Sequence, residues 1–305
     1  MTFETLIAQR QGPVLGLTLN RPESRNAMSL AMVGELQQAL AQAEQTVGAA
    51  DAVRVVVLRG AGGHFCSGGD LKDMAAARMR ALQGGTDGSD PIAEVNARFG
   101  HLCAAFANSP LAIVALLEGT VMGGGFGLAC VADVAIATET ASFRLPETSL
   151  GVVPAQIAPF LVERLGYSQA KRLAVTGGRL DAAAALRIGL VHQQVEAAQL
   201  QAALDAVLAF AKAVEAKSLS RAAAELGVPR ATLSRRLARL EERLARGPFV
   251  KCPSNQPMSR GWVSPRRDGA LVFSLNRQWL LALSVEQRLL PSSVVNEEVK
   301  ERAEA

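Results

Sequence analysis

Three consecutive glycines, Gly123 to Gly125, most constrain how this chain can fold. They follow an apolar run, LAIVALL at residues 111–117, which predicts a buried strand, and they precede small residues that predict a helix start. A glycine turn at this junction leaves backbone N–H groups open at the positive end of the helix. We therefore expect the turn to bind developing negative charge if a second donor lies nearby. Without that donor, a plain turn is the simpler interpretation.

A second strand, glycine turn and helix lie about sixty residues upstream. The strand is within RVVVLRG at residues 54–60, and the turn contains Ser67, Gly68 and Gly69. Asp70 is predicted to cap the helix that follows. Two such turns together can supply two convergent backbone donors, which is what an oxyanion hole requires.

Three motifs in this order resemble the crotonase superfamily of enoyl-CoA hydratases and isomerases, over about residues 3–200. The motifs are FCSGGDLKDM, EGTVMGGGFGLACVADVAIA and FRLPETSLGVVPAQIAPFLVERLG. The resemblance implies an α/β fold with a spiral core of ββα repeats. It implies an acyl-CoA thioester as substrate, with coenzyme A entering only as part of that substrate and no separate cofactor. It also implies a homotrimer or a hexamer.

The resemblance also assigns roles to individual residues. Ser67 and Gly124 match the positions whose N–H groups bind the thioester oxygen. Glu147 matches the glutamate that exchanges a proton at the α-carbon, and its apolar surroundings favour a raised pKa. Contacts to coenzyme A are implied for Arg25, Asn26, Ala27, Gly68, Asp70 and Leu71. The alternative for the turn at residues 20–29 is a solvated turn with an incidental arginine.

One position departs from the family pattern. Hydratases with two catalytic glutamates carry the first one two residues after the glycine triple, where this chain has Gly127. Acid–base chemistry on an enoyl thioester needs a proton donor for one carbon and a group that orients water at the other. Three alternatives follow: a hydratase that works with Glu147 alone, a Δ3,Δ2-enoyl-CoA isomerase with a single base, or a protein that has lost lyase activity.

The segment around Glu147 resembles hydratases of 3-substituted glutaconyl-CoA, namely isohexenylglutaconyl-CoA and methylglutaconyl-CoA hydratases of terpene and leucine breakdown. The AQIAPF hexapeptide and the glycine of GGGFGLAC favour the isohexenyl substrate. A second carboxylate on the substrate would require a cation, for which Arg144 is a candidate and a surface arginine the alternative. We therefore expect hydration of such a thioester.

Composition points to a cytoplasmic protein without a structural metal. No apolar stretch reaches the length of a membrane span, and the first residues lack the basic and apolar regions of a signal peptide. The chain has three histidines, and its cysteines lack metal-like spacing. The cysteines are Cys66, Cys103, Cys130 and Cys252.

Local patterns before the first glycine turn predict two further elements. Residues 14–19 alternate as an edge strand does, and residues 30–44 have the apolar spacing of an amphipathic helix.

The basic charge of the chain is concentrated in its last third. Residues 201–305 contain 17 Lys and Arg against 11 Asp and Glu, although the whole chain has a net charge of +4. Within this part, SLSRAAAELGVPRATLSRRLARLEERL predicts a helix, a tight turn and a basic helix. It resembles the helix-turn-helix of LysR-type regulators, which implies DNA contact through residues 218–246. A helical pair with a solvated basic face is the alternative.

The end of the chain resembles part of the recombination-associated ring protein RdgC. The segments that carry this resemblance are SRGWVSP, RQWLLAL and LLPSSVVNEEVKERAEA. We therefore predict a catalytic core at 1–203, a small helical helix-turn-helix segment at 204–248, and a truncated tail at 249–305 that is α+β or partly disordered. The competing function is a DNA-binding or inactive chimeric protein.

Overall fold

Nine strands and seven α-helices form the part of the chain that this computed structural model describes, residues 2–82 and 90–216 together with the single positions 220 and 234. The strands are β1 (Leu6–Gln11), β2 (Val14–Leu19), β3 (Val55–Gly60), β4 (Ala112–Leu117), β5 (Thr120–Met122), β6 (Val134–Thr138), β7 (Ser142–Arg144), β8 (Leu180–Asp181) and β9 (Gln193–Val195). The helices are α1 (Leu30–Glu44), α2 (Leu71–Leu82), α3 (Pro91–Ala107), α4 (Gly124–Val131), α5 (Ala158–Thr176), α6 (Ala182–Arg187) and α7 (Leu200–Ala216).

Six of these strands form the main sheet, in the order β1, β2, β3, β4, β6, β9. Only the β1–β2 pair is antiparallel; the other neighbours are parallel. Strand β4 is buried along its whole length, as parallel strands covered on both faces are. The α/β class predicted from the sequence is confirmed. The prediction of an edge strand at residues 14–19 is wrong, because β2 lies between β1 and β3.

Alternate residues of β4 face two separate apolar clusters. Ile113, Ala115 and Leu117 belong to the larger cluster, which includes α1 and the buried side of α3. Val114 and Leu116 belong to a smaller cluster on the opposite face, which α7 covers. The sheet therefore separates the two cores of the protein.

A smaller sheet with the order β5, β7, β8 positions the two segments that carry the candidate chemistry. Strands β5 and β7 run parallel, with Met122 beside Arg144 at their ends. The glycine triple follows β5 and Glu147 follows β7, so both lie at the same edge. A parallel bridge between Cys66 and Val121 brings the first glycine turn to this edge as well.

Helix α1 shows how local signals determine an element. It spans Leu30–Glu44, the range predicted from the apolar spacing, and the Ser29 side chain accepts a hydrogen bond from the Met32 N–H as its N-cap. A second hydrogen bond comes from α2, where the Asp73 carboxylate accepts a hydrogen bond from the Leu30 N–H at 2.7 Å. The first turn of α1 is thereby joined to the helix that follows the upstream glycine turn.

Helix α7 crosses the predicted domain boundary between residues 203 and 204. It is continuous from Leu200 to Ala216, and Leu204 and Val207 are buried against the main sheet. The helix that packs on the main sheet therefore continues past the predicted boundary at residue 203. The remainder of the predicted helix-turn-helix and the whole predicted tail lie outside the residues described in ranges. Within the described part, no helix is long and apolar enough to cross a membrane.

Candidate active site

The two glycine turns lie directly against each other. Gly68 has φ +102° and Gly123 has φ +49°, values that side-chain-bearing residues rarely adopt. A Cβ atom built on Gly123 would lie 3.5 Å from the Cα atom of Gly68. Glycine at both positions therefore allows the close approach of the two backbones.

Two backbone N–H groups beside this contact have no acceptor among the described residues: those of Gly69 and Gly124. Gly124 is the first residue of α4, where an N–H group has no partner within the helix. The predicted donor Ser67 differs, because its N–H donates to the Arg25 carbonyl at 3.0 Å. The hydrogen bonds thus place Gly69, two residues further on, as the second open donor instead of Ser67.

Glu147 lies beside this pair of donors, on a short 3-10 helix that spans Pro146–Leu150. Its Oε1 atom is 3.1 Å from the position that a Cβ atom on Gly123 would take. Its Oε2 atom is buried and has no hydrogen-bond partner among the described residues. Burial raises the pKa of Glu147, against a smaller opposing effect of a backbone hydrogen bond. A carboxyl group with one unpaired oxygen and a raised pKa is suited to giving and taking a proton.

The position of the missing first glutamate is filled by apolar side chains. A Cβ atom on Gly127 would collide with Cγ2 of Ile157 and would lie 3.4 Å from the Phe99 ring. The same ring is 3.1 Å from the Cβ position of Gly124. The wall beside Gly124 and Gly127 is therefore apolar and closely packed, and a side chain at residue 127 would collide with it.

The turn predicted to hold coenzyme A has two residues with positive φ, Arg25 at 50° and Asn26 at 56°. The Asn26 side chain is buried and accepts the Arg21 N–H at 2.9 Å while donating to the carbonyls of Ala61 and His64. Its polar atoms are thus used within the protein, and it shapes the turn. The Arg25 side chain is exposed, as a group that meets a phosphate must be.

The Ala27 carbonyl and the Asp70 carboxylate both accept hydrogen bonds from the guanidinium of Arg21, each at 2.7 Å. Asp70 also accepts the Lys72 N–H at 2.8 Å, which confirms it as the cap of α2. Burial raises the pKa of Asp70, but the hydrogen bonds from Arg21 and Lys72 and their charges outweigh it and lower the pKa overall. Asp70 therefore holds the turn together, whereas Leu71 is 71% exposed at its rim.

Arg144, the candidate partner for a second substrate carboxylate, ends β7 and donates to the Ser149 hydroxyl at 2.9 Å. Its carbonyl accepts the Gly123 N–H at 3.2 Å. The backbone of Arg144 is therefore part of the site's frame. Its side chain is partly exposed.

Cysteine and histidine side chains form no metal centre in the described ranges, where no group of three or more potential metal-binding residues occurs. The thiols of Cys66 and Cys130 are buried, and burial raises their pKa values to about 11 and about 12. These thiols are neutral packing groups, Cys66 next to the glycine turns and Cys130 at the far end of α4.

Several site residues escape sequence reasoning. The sequence places Gly69 in a glycine turn, but the signal that distinguishes it from Ser67 is a hydrogen bond between distant residues. Ile157 lies inside the quoted AQIAPF hexapeptide, but no local pattern shows that it packs on Gly127. Phe99 belongs to α3, and nothing in the sequence distinguishes it from the other apolar residues of that helix.

Residues 9–246 match the sequence profile of the family described as Enoyl-CoA hydratase/isomerase. The chain belongs to the enoyl-CoA hydratase/isomerase family. A solved enoyl-CoA hydratase/isomerase from Marinobacter aquaeolei is 45% identical, with a TM-score of 0.64 over 80% of this chain and 92% of that one. AtuE of Pseudomonas aeruginosa is 46% identical, with the same TM-score and the same coverage of both chains.

Curated relatives agree with this assignment. A Rhizobium meliloti protein named "Probable enoyl-CoA hydratase" is 35% identical over 73% of this chain and 79% of its own length. The predicted crotonase-like fold is confirmed by these similarities. The match of the enoyl-CoA hydratase/isomerase profile also reaches beyond residue 203, in agreement with the packing of α7.

The end of this enoyl-CoA hydratase/isomerase family member matches a second family. Residues 228–305 match the RdgC family, which confirms the predicted resemblance of the tail. The recombination-associated protein RdgC of Dechloromonas aromatica is 85% identical over 68 residues, which are 22% of this chain and 22% of that protein. The chain thus spans about a fifth of this relative. The LysR-type helix-turn-helix stays a prediction.

Proposed function

We propose that this chain hydrates an α,β-unsaturated acyl-CoA thioester with Glu147 as its single acid–base group. The observation that carries the proposal is the position of Glu147, partly buried and with an unpaired oxygen, beside the open N–H groups of Gly69 and Gly124. One carboxyl group and two donors are the minimum that proton exchange next to a polarised thioester requires.

The reaction follows from the movement of charge. Water adds to the β-carbon as the Glu147 carboxylate takes its proton, and the electron pair of the double bond moves onto the thioester oxygen. The N–H groups of Gly69 and Gly124 stabilise this enolate; loss of such a donor typically costs about 3 kcal/mol. The enolate then collapses, and Glu147 returns the proton to the α-carbon. The carboxylate is regenerated, and one water has been added across the double bond.

The proposed substrate is a 3-substituted glutaconyl-CoA, either the isohexenyl or the methyl compound. The apolar wall formed by Phe99 and Ile157 suits an alkyl substituent, because burying such a group there removes apolar surface from water. Arg144 is the proposed partner for the second carboxylate. Its backbone already belongs to the frame of the site.

A Δ3,Δ2-enoyl-CoA isomerase is the second candidate, and the packing of Gly127 against Ile157 favours it. Isomerisation needs one base that removes a proton from one carbon and returns it to another, with no bound water. Glu147 alone can perform both transfers.

Mass spectrometry of the product separates these two reactions. Purified protein is incubated with 3-methylglutaconyl-CoA, isohexenylglutaconyl-CoA and a 3-enoyl-CoA, and the absorbance of the enoyl thioester is followed. Hydration adds the mass of one water, whereas isomerisation leaves the mass unchanged. The Glu147→Gln variant should lose turnover, whereas Glu139→Gln, an exposed glutamate after β6, should retain it. Folded protein that turns over none of these substrates contradicts both candidates.

The proposal extends to cofactors, assembly and location. Coenzyme A enters only as part of the substrate, the protein works without a separate cofactor, and it assembles as a homotrimer or hexamer in the cytoplasm. Light scattering of the full chain tests the assembly.

DNA binding is a further candidate, favoured by the match of residues 228–305 to the RdgC family and by the basic last third. Fluorescence anisotropy of labelled duplex DNA with the full chain, at low and high salt, tests it. Binding through residues 218–246 should weaken steeply as salt rises. Anisotropy that stays at the value of free DNA at low salt contradicts this candidate.

A further inference from the structure

Helix α4 connects the candidate active site to a positively charged side chain at its other end. It begins with Gly124, whose N–H is open, and ends at Val131. The guanidinium of Arg164 donates to the Cys130 carbonyl through Nε at 3.0 Å and through Nη2 at 2.8 Å, and Nη2 also donates to the Ala132 carbonyl. Arg164 therefore caps the C-terminal end of the helix that starts at the site.

Arg164 takes the place of the usual caps. The residue after α4, Ala132, has φ −69° and ψ 135°, so the helix ends without the left-handed glycine that commonly satisfies its last carbonyls. The helix sequence, GGFGLACV, contains no charged residue, and the N-cap residue Gly123 has no side chain that could hydrogen-bond. The cation that contacts the last carbonyls of α4 is thus supplied by a residue of α5, while the carboxylate of Asp133, which follows the helix, accepts the Ile113 N–H at 2.7 Å.

Arg164 lies against the ring of His192. Nη1 lies 2.9 Å from Nε2 of His192, whose Nδ1 accepts the Ala135 N–H at 3.0 Å. Burial and the adjacent guanidinium lower the pKa of His192 to about 3, so the ring is neutral. Because Nδ1 is an acceptor, the proton of the ring is on Nε2, and the contact with Nη1 is not a hydrogen bond. Among the described residues no carboxylate forms an ion pair with Arg164. The negative charges of Asp133 and Glu163 act on Arg164 beyond ion-pair distance, and the guanidinium donates its hydrogen bonds to the carbonyls at the end of α4.

We propose that Arg164 is a positioning residue for the oxyanion-binding N–H of Gly124. A cation at the C-terminal end offsets the negative pole of the helix dipole, and so leaves the positive pole at Gly124 less opposed. Eight residues make α4 about 12 Å long, a distance over which a partly buried charge still acts. The same hydrogen bonds fix the axis of α4, and with it the direction of the Gly124 N–H. This inference rests on the proposed function only for the location of the oxyanion site.

The test uses a readout that does not require turnover. Butyryl-CoA, labelled with a heavy carbon isotope at the thioester carbonyl, is bound to the full chain, and isotope-edited infrared spectroscopy measures the carbonyl stretch. Wild-type protein should lower this frequency, because donors polarise the bound carbonyl. Arg164→Met should lose part of that lowering, because the Gly69 N–H is unaffected, and Arg164→Lys, which keeps the charge, should retain more of it. Arg172→Met, which removes an exposed arginine of α5, is the matched control.

Kinetics add a second readout on the substrate that the wild type turns over. Arg164→Met should reduce kcat about ten-fold with little change in KM, because the oxyanion is stabilised more in the transition state than in the bound substrate. A folded Arg164→Met variant with the wild-type carbonyl frequency overturns the inference, and so does a wild type that does not lower the frequency. A wild type that lowers the frequency but hydrates nothing instead contradicts the proposed hydration.

A second variant is available if Arg164→Met does not fold, as judged by circular dichroism. Arg164→Gln keeps a hydrogen-bond donor at this position but removes the charge. The lowering of the carbonyl frequency should then be partly lost. An unchanged carbonyl frequency in a folded Arg164→Gln variant would refute the positioning role.

Discussion

The side chain of Ile157 occupies the space that a Cβ atom on Gly127 would need. Replacing a helical glycine with alanine ordinarily stabilises a protein by about 0.5–1 kcal/mol. At Gly127 the same replacement should destabilise the protein, because the added methyl group meets Cγ2 and Cβ of the buried Ile157.

Gly127→Ala is therefore expected to lower the free energy of unfolding by about 1–3 kcal/mol, and Gly127→Glu by more. Urea denaturation followed by circular dichroism measures this change. The double variant Gly127→Ala/Ile157→Gly relieves the collision, so it should lose less stability than the two single changes added together. A fully additive double variant would show that Ile157 is not the obstacle.

Gly123→Ala should abolish most activity while leaving a folded protein. The residue has φ +49° and ψ −114°, and its new Cβ atom would lie 3.1 Å from Oε1 of Glu147. Displacement of the carboxyl group from the reacting carbon should reduce kcat by about a hundred-fold. Steady-state kinetics on the substrate that the wild type turns over measures this.

The matched control for that change is Gly151→Ala. Gly151 also has a positive φ, +69°, but no atom lies within 4 Å of its Cβ position. The Gly151→Ala variant should lose some stability through backbone strain and keep the kcat of the wild type. Equal losses of kcat in the two variants would contradict the role given to the contact between Gly123 and Glu147.

Glu147→Gln should stabilise the protein at neutral pH. Burial raises the pKa of Glu147 in the folded state, so the folded protein binds a proton more tightly than the unfolded chain does. Ionisation of Glu147 therefore costs folding stability, and this cost is absent below the unfolded pKa of about 4.3. It grows as pH rises and is complete above the folded pKa.

The stabilisation by Glu147→Gln should therefore be present at neutral pH and shrink toward pH 4. Chemical denaturation across this range measures it, with the exposed Glu139→Gln as control. A gain that is independent of pH would argue against ionisation as its cause.

Asp70→Asn should destabilise the protein at neutral pH by about 2 kcal/mol, since it removes the acceptor of a charged hydrogen bond from Arg21. The pKa of Asp70 is lowered in the folded state, so its contribution is present above the unfolded pKa of about 3.9 and is lost as pH falls through the folded pKa.

Wild type and Asp70→Asn should accordingly become more similar in stability under acidic conditions. Thermal unfolding at neutral and acidic pH checks this. Asp51→Asn removes an exposed pair with Arg10 and should change little, because the Asp51 side chain is 84% exposed. A loss from Asp51→Asn as large as that from Asp70→Asn would contradict this reasoning.

Local sequence patterns predicted much of the frame of the site. The spacing of apolar residues predicted α1, the turn chemistry predicted Asp70 as a cap, and the glycine triple predicted the start of α4. Each of these features depends on residues within one or two turns of the same segment. Such signals are therefore visible in the linear sequence.

The selection among neighbouring donors depended on the tertiary structure. Ser67 and Gly69 lie in the same turn, and only the bond from the Ser67 N–H to the Arg25 carbonyl, forty-two residues away, separates them. The packing of Ile157 on Gly127 and of α7 on the main sheet also joins distant segments. The place of β2 inside the sheet depends on its pairing with β3.

The sequence by itself thus determined the α/β class, the family motifs and the residue types that the chemistry needs. Only the tertiary structure decided which N–H groups stay open, what fills the place of a second carboxylate, and which charge lies behind α4. The physical reason is that hydrogen-bond partners and van der Waals contacts are selected by competition among groups that become neighbours only when the chain has folded.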